Sequence, residues 1–195
     1  MALFLQQLVN GITMGGTYAL VALGFTLIFG VLDIIQMAHG EIFSIGALMA
    51  YVVIGTWHGG FWSGLVIAMA VAAAMGYVVE LVALRPLRAR GADYLAPLIS
   101  TIGLSIILQE VLIKLFGPEP LPVRTDLAQM QLQLGPVKVA GVQILVLVIS
   151  LALMGLMQLL MRYTRLGRAM RAVAENPRTA ALLGVNVSAV VVLTV

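Results

Sequence analysis

Residues 162–186, RYTRLGRAMRAVAENPRTAALLGVN, decide how this chain is arranged. They carry five arginines against a single acid, Glu175, while the residues on both sides are apolar enough to lie in a bilayer. Positively charged loops beside apolar spans remain on the cytoplasmic side of a membrane. The stretch is therefore predicted to be a cytoplasmic loop, and it sets the direction of the spans that flank it.

The end of this loop has the features of a short helix with its own start and stop. Asn176 can cap a helix, and Pro177 suits the first helical position, where its missing N–H is no loss. Residues 179–183 can form the body, and Gly184 suits the left-handed position just past the end. Because a helix of about two turns is marginal alone, we predict that it packs against a soluble partner.

The composition places the chain among membrane proteins. It is 62% hydrophobic and 10% charged, whereas soluble domains are about 45–50% apolar and about 25% charged. Eight of the eleven Lys and Arg residues lie in two short stretches, so the net charge of +3 indicates topology and not nucleic-acid binding. The chain has no Cys, which excludes disulfides and thiolate metal sites.

Five apolar runs are each long enough to cross a membrane, which needs about 20 residues. The predicted spans are residues 8–31, 42–57, 61–83, 95–117 and 141–161. The basic loops 84–94 and 162–186 are expected in the cytoplasm, and the loop 118–140 and the N-terminus outside. The expected fold class is therefore all-α, a polytopic transmembrane helix bundle that forms one domain.

Two shorter features complete this arrangement. Residues 129–139 alternate polar and apolar side chains around Gly135-Pro136, which predicts a small β-hairpin on the outer surface. Residues 187–195 are apolar, but nine residues cannot cross about 30 Å of hydrocarbon. They are either an interfacial stub or a truncated sixth span. The second interpretation, an N-terminal fragment of a longer chain, is favoured.

Polar groups cluster between the first two spans. Asp33, Gln36, His39 and Glu41 fall within nine residues, at or near the inner side. Ionisable groups in membrane segments are costly and mark functional positions, and a helix broken at Gly40 would expose backbone groups to a cavity. Three of these residues, Gln36, His39 and Glu41, are candidates for a translocation path together with Gly40. The alternative is that His39 and Glu41 only cap the second span at the cytoplasmic interface.

The fourth span also carries polar side chains, Gln109, Glu110 and Lys114. Gln109 and Glu110 are further candidates for the same path, because ionisable groups in a span face the bundle or water. The alternative is an internal ion pair, since Glu110 and Lys114 have the i,i+4 spacing of helix neighbours.

The patterns of several enzyme classes are absent from the sequence. It contains no Gly-x-x-x-x-Gly-Lys-[Ser/Thr] loop, no His-Glu-x-x-His and no Gly-x-Ser-x-Gly. The two histidines, His39 and His58, lack the spacing of metal ligands. The sequence therefore predicts a protein that is not an enzyme and that carries neither a cofactor nor a metal.

Several stretches occur together, in an order that covers essentially the whole chain. They are Asn10-Gly11, Tyr18-Ala19-Leu20, residues 23–31, Ala38-His39-Gly40-Glu41, Glu80 with Arg85-Pro86-Leu87-Arg88, residues 101–105 with Leu108-Gln109, Gly167-Arg168-Ala169, Ala174-Glu175 and Leu183-Gly184-Val185-Asn186. In this order they resemble the permease subunits of branched-chain amino acid ABC transporters. Two positions depart from the family's pattern: Gln36 stands where Asn is expected, and Asp33 where a basic or neutral residue is common.

The resemblance implies an inner-membrane importer subunit of a bacterial cell. Such a subunit pairs with a second, homologous permease and with two cytosolic ATPase subunits. A periplasmic substrate-binding protein would deliver leucine, isoleucine, valine or a related small amide, and related permeases carry urea or short amides. The coupling loop of ABC permeases most commonly reads Glu-Ala-Ala with a Gly beyond, and Ala172-Val173-Ala174-Glu175 with Gly184 is a looser version of it. By this similarity, the residues that would dock onto an ATPase are Ala172, Glu175, Asn176, Pro177, Arg178, Ala180, Leu182, Leu183 and Gly184.

Two alternatives stand beside this interpretation. A secondary transporter or channel would work without ATPases, through an ionisable relay of Asp33, His39, Glu41 and Glu110. The short helix after Asn176 could instead rest on membrane lipid as an amphipathic stub, with its arginines on anionic head groups. The resemblance also implies a longer chain, with a glycine-rich C-terminal part.

Overall fold

The computed structural model describes residues 2–91, 95–123, 131–134 and 137–194. The described helices are α1 (Ala2–Leu32), α2 (His39–Tyr51), α3 (Phe61–Val79), α4 (Arg85–Ala89), α5 (Leu95–Phe116), α6 (Gly141–Tyr163), α7 (Arg165–Glu175), α8 (Pro177–Leu182) and α9 (Val187–Thr194). Two π-helical segments, Val52–Thr56 and Glu80–Leu84, continue α2 and α3 without a break.

Among the described residues, five helical stretches are long and apolar enough to cross a membrane, which confirms the predicted all-α fold class. They are Leu3–Leu32, His39–Thr56, Phe61–Ala89, Leu95–Phe116 and Gly141–Tyr163. Each coincides with one predicted span, because a long apolar run must satisfy its backbone within a helix.

The third of these stretches is longer than predicted. The basic residues from Arg85 were expected to start a loop, but the helix continues to Ala89. Pro86 has no N–H, which the interior of an α-helix does not tolerate. Here it directly follows the π-helical segment Glu80–Leu84 and stands in the first turn of α4, a part of a helix where proline is common.

The chain divides into two compact units, one of Met1–Gly24 and Arg124–Arg168, the other of Phe25–Val123 and Ala169–Val195. In the second unit, α2 packs closely against α3. A Cβ added to Gly46 would lie 3.4 Å from the Cβ of Ala72 and 3.5 Å from the carbonyl oxygen of Ala68. Small residues on both helices thus let the backbones approach.

A core cluster lies further along the same helix pair. It consists of Ala38, Ile42, Val79 and Ala83, all buried, with Leu104 of α5 packed against it. The start of α2 is therefore held between α5 and the π-helical end of α3. This packing determines where the residues before His39 are placed.

In the first unit, polar side chains join α1 and α6. Gln143 Nε2 donates to Asn10 Oδ1 at 3.1 Å, and Gln143 Oε1 accepts from the N–H of Ala140 at 3.1 Å. A Cβ on Gly16 would lie 3.4 Å from Ser150 Oγ, so these helices also approach closely. Sequence periodicity did not single out Gln143, because a single amide in an apolar run gives no pattern.

Two short strands, β1 (Gln131–Leu134) and β2 (Val137–Ala140), pair antiparallel with Leu134 opposite Val137. They fall in the stretch 129–139, for which alternating polarity predicted a hairpin. Gln129 and the turn residues Gly135 and Pro136 lie outside the described residues.

The arginine-rich loop contains more helix than predicted. Helix α7 follows a turn in which Thr164 Oγ1 accepts a bond from the N–H of Gly167 at 3.0 Å. A Cβ at Gly167 would collide with the last-turn backbone of α6, so this turn requires glycine. Met170 and Val173 of α7 are buried. The arginines between these apolar residues concealed the packing side of α7 in the sequence.

Candidate translocation path and docking helix

The chain leaves helical geometry between α1 and α2, at residues 33–38, here called the 33–38 break. Asp33 has φ +52°, a left-handed conformation that is uncommon for a residue other than glycine. Its N–H still donates to the carbonyl oxygen of Phe29 at 2.9 Å. The break is therefore an ordered interruption between two helices of membrane-spanning length.

One buried hydroxyl on α5 holds the 33–38 break. The N–H of Met37 donates to Thr101 Oγ1 at 3.2 Å. The Thr101 hydroxyl itself lies 2.9 Å from the carbonyl oxygen of Pro97 and 3.5 Å from that of Ile35. Lipid offers no partner to non-helical backbone, so such backbone needs protein groups at membrane depth. Thr101 supplies them here.

Gln36 lies at the buried side of the 33–38 break, with 0% of its surface exposed. Within the part of the chain that the structure describes, neither its amide oxygen nor its amide nitrogen has a hydrogen-bond partner. A buried polar group without a partner costs about 1–3 kcal/mol. The structure thus buries the amide group of this candidate residue without a hydrogen-bond partner among the described residues.

Glu41 lies beside the middle of α5. Ser105 Oγ donates to Glu41 Oε1 at 3.5 Å, and Ser105 is the eleventh of the 22 residues of α5. The sequence indicated a position near the inner side, with capping at the interface as an alternative. The contact with Ser105 places Glu41 deeper along the helices, because α2 starts partway along its neighbours and not at their ends.

A groove of about 490 Å³ runs along α2 and α5, and we call it the α2–α5 groove. It starts at Glu41 and continues past Phe116 to the residues that follow α5. Its polar lining includes Ser44, Tyr51, Gln109 and Glu119, and the remaining lining is mostly aliphatic and aromatic. The structure therefore brings Glu41 and Gln109, two of the predicted path residues, to one cavity.

The other predicted path residues lie elsewhere. Glu110 is exposed and does not line the groove, and no ion pair joins it to Lys114, both being described residues. The i,i+4 ion pair, which was the alternative explanation of these residues, is thus not formed in the structure. His39 is half-buried, with its ring edge-on to Phe25 at a centroid distance of 6.5 Å, and Gly40 is exposed.

Helix α8 has hydrogen-bonded caps at both ends. Asn176 Oδ1 accepts from the N–H groups of Arg178 and Thr179, each at 3.0 Å. At the other end Gly184 has φ +85°, and the N–H of Val185 donates to the carbonyl oxygen of Ala180 at 3.0 Å. This is the cap that glycine forms best after a helix. The start and stop that the sequence predicted are both present.

Helix α8 has one buried and one exposed side. Ala180 is 2% exposed, whereas Leu182 and Leu183 are 88% and 78% exposed. Glu175 and Arg178 are also exposed, and Ala172 on α7 is half-buried. The predicted docking residues therefore form a short, locally ordered element that presents two leucines.

Sequence reasoning missed an ion pair between Glu80 and Arg88, although both stand in a stretch that carried the family resemblance. Glu80 is 1% exposed and lies in the π-helical segment that continues α3. Its partner Arg88 lies on α4. Together with Asn186 and Ser188 at the start of α9, the pair lines a cavity of about 570 Å³. An acid eight residues before an arginine was the available signal.

The family model described as the branched-chain amino acid transport system / permease component matches residues 7–195. The chain belongs to this family. Permease protein BraD of the high-affinity branched-chain amino acid transport system of Pseudomonas aeruginosa is 36% identical over 98% of the chain and 66% of its own length. LivH of Escherichia coli, with the same description, is 35% identical over 98% of the chain and 65% of its own length.

The chain of this family member therefore spans about two thirds of the length of these relatives, 66% and 65%. No solved structure matches the chain. The family membership confirms the resemblance drawn from the sequence. The chain is thus a permease component of this family, and five helices among its described residues are long and apolar enough to cross a membrane.

Proposed function

We propose that the chain is the permease subunit of an ATP-driven importer of branched-chain amino acids. In this proposal it lines the translocation path, and α8 docks onto a cytosolic ATPase subunit. The assembly would comprise a second, homologous permease, two ATPases and a periplasmic substrate-binding protein. The N-terminus would lie outside the inner membrane, with the arginine-rich loop in the cytoplasm.

The observation that carries the proposal is the construction of α8. A six-residue helix is too short to be stable by itself. Here both of its ends are capped, and the leucines Leu182 and Leu183 are exposed. Burying one leucine side chain is worth roughly 1.5–3 kcal/mol. Leu182 and Leu183 could therefore hold a contact in a groove on a partner. Glu175 and Arg178 would lie at the rim, where charges influence orientation more than affinity.

The 33–38 break and the α2–α5 groove support the transport part of the proposal. Transporters form their binding sites from interrupted helices, because non-helical backbone is tolerated at membrane depth only in protein or beside a cavity. The break is held by Thr101, and Glu41 just beyond it opens to the groove. The similarity to BraD and LivH, permeases of branched-chain amino acid transport systems, supports branched-chain amino acids as the cargo.

The docking role of α8 is tested by Leu182→Asp in the chain expressed with its permease and ATPase partners. A carboxylate at this position cannot be buried in an apolar groove without a large desolvation cost. We expect the variant to insert in the membrane while the ATPases fail to co-purify, or while ATP hydrolysis continues without uptake.

The matched control is Ala174→Asp, which adds the same charge at an exposed position of α7. It should retain assembly and uptake. If Leu182→Asp also retains ATPase co-purification and ATP-driven uptake, α8 is not the docking element. A variant that only loses binding to anionic vesicles would assign α8 to the lipid surface instead.

A further inference from the structure

We infer that the Glu41 carboxylate, at the floor of the α2–α5 groove, binds the ammonium group of the transported amino acid. The inference rests on the proposed function for the existence of a substrate path. It adds a specific binding residue and the substrate group that this residue recognises.

The α2–α5 groove has the size of a small-molecule site, and Glu41 lies at one end of it. The α2–α5 groove has a volume of about 490 Å³, within the roughly 300–1,000 Å³ of small-molecule sites. Glu41 lies at the end of the groove beside the middle of α5, and Glu119 lies at the other end, after α5. A solute that enters past Glu119 therefore meets Glu41 where the groove ends.

No basic side chain among the described lining residues compensates the charge of Glu41 in the groove. Among the described residues that line the groove, none is a lysine or an arginine. Glu41 accepts a hydrogen bond from the Ser105 hydroxyl, at the long distance of 3.5 Å. An ionised carboxylate can accept about four hydrogen bonds, so this contact leaves acceptor capacity for a ligand in the groove that Glu41 lines. A charge within the span of a membrane helix is costly unless it is paired.

The side chains that line the α2–α5 groove match the chemical groups of an aliphatic amino acid. An ammonium group has three donors and a positive charge, which suits a carboxylate that has one weak partner. Leu48, Leu112 and Ile113 give the groove an aliphatic wall for a branched side chain, and Gln109 and Tyr51 give it neutral donors for a carboxylate. The groove thus offers a partner for each part of a zwitterionic aliphatic amino acid.

The same acid has a simpler explanation, because Glu41 stands in the first turn of α2, where the helix dipole favours a negative charge. An acid with that role alone would not make the cavity selective for cations. The charge preference of the groove therefore separates the two explanations.

The chain has no native Cys, so single cysteines report on the groove cleanly. Ser44→Cys places a thiol in the groove, and the matched control Ser63→Cys places one in the first turn of α3, outside its lining. Both variants are treated in membrane vesicles with a cationic ethylammonium and an anionic ethylsulfonate methanethiosulfonate reagent. The cysteine-free chain gives the background of other subunits.

We expect the cationic reagent to react about tenfold faster, relative to the anionic one, at Ser44→Cys than at Ser63→Cys, because of the uncompensated Glu41 charge. Glu41→Gln should reduce this ratio to that of the control, and Glu41→Asp, which keeps the charge, should retain it. Equal ratios at the two cysteines, or a ratio that Glu41→Gln leaves unchanged, would overturn the inference.

Protection experiments identify the group that is recognised. Leucine and its decarboxylated analogue isopentylamine should slow labelling of Ser44→Cys, whereas the deaminated analogue 4-methylpentanoate should not. Protection by 4-methylpentanoate equal to that by isopentylamine would contradict ammonium recognition. These readouts require no ATPase, so they can fail while the docking test of α8 succeeds, and the reverse.

Discussion

The backbone at the start of α8 and the backbone just before α2 both need hydrogen-bond partners outside their own helices, and they find them in different places. At α8, the N–H groups that lack helical partners are satisfied by Asn176, immediately before the helix, and the end is closed by Gly184. At α2, the backbone before the helix is satisfied by Thr101, which lies 64 residues away from Met37 in the chain. The cap of α8 therefore depends on residues of its own segment, whereas the 33–38 break depends on a contact with α5.

The largest expected effect lies at the buried ion pair of Glu80 and Arg88, which joins the π-helical end of α3 to α4. Arg88→Met removes the partner of the buried Glu80 carboxylate, and breaking a buried ion pair from one side costs about 3–5 kcal/mol. Because the Arg88 side chain is 30% exposed, we expect the lower end, about 3 kcal/mol. The measurement is thermal unfolding of the purified protein.

The control for this prediction is Arg85→Met, which removes an exposed arginine from the same helix. The double variant Glu80→Leu/Arg88→Met should regain most of the loss, because it leaves no buried charge without a partner. Equal unfolding temperatures for the two arginine variants would mean that the Glu80–Arg88 pair does not stabilise the fold.

A smaller effect is expected at the hydroxyl that holds the break. Thr101→Val keeps the shape of the side chain but leaves the N–H of Met37 without its partner, at a cost of about 1–3 kcal/mol. Thr101→Ser retains the hydroxyl and should be much closer to the native protein. Thermal unfolding and uptake are measured together, and a native-like Thr101→Val would mean that the break does not need this bond.

The smallest effect is expected at the locally capped helix. Asn176→Ala removes an N-cap, worth typically about 1 kcal/mol, and its consequence should stay within α8. Amide hydrogen exchange should rise at residues 178–182 and remain unchanged in α2 and α3. The conservative control Asn176→Asp keeps a capping oxygen. Faster exchange throughout the bundle after Asn176→Ala would show that α8 is not an independent element.

The contrast between the two helix starts also explains what the sequence could predict. The five spans follow from apolar length, and α8 follows from Asn176, Pro177 and Gly184, since each of these signals acts within a few residues. The depth of Glu41 could not be predicted, because it depends on which turn of α5 meets α2. The pair of Glu80 and Arg88 was hidden for a similar reason, since a π-helical segment and α4 bring them together.

The candidate residues divide in the same way. The docking segment could be delimited from local chemistry alone, while the path residues could be named only as a polar group of uncertain placement. Of that group, Glu41 and Gln109 share the groove, Gln36 is buried in the break, and Glu110 is exposed away from them. Tertiary packing determines which of these residues line the groove, and the pattern of residue types along the sequence does not show it.

The most direct test of the docking role is to find what α8 touches in the assembled transporter. Leu182→Cys, in a chain without other cysteines, is labelled with a maleimide photo-cross-linker and irradiated with its partner subunits present, with Ala174→Cys as the matched control. We expect a cross-linked product of the permease and an ATPase subunit from Leu182→Cys, and much less of it from Ala174→Cys. Cross-links from Leu182→Cys to lipid alone, in a complex that still imports its substrate, would contradict the docking role.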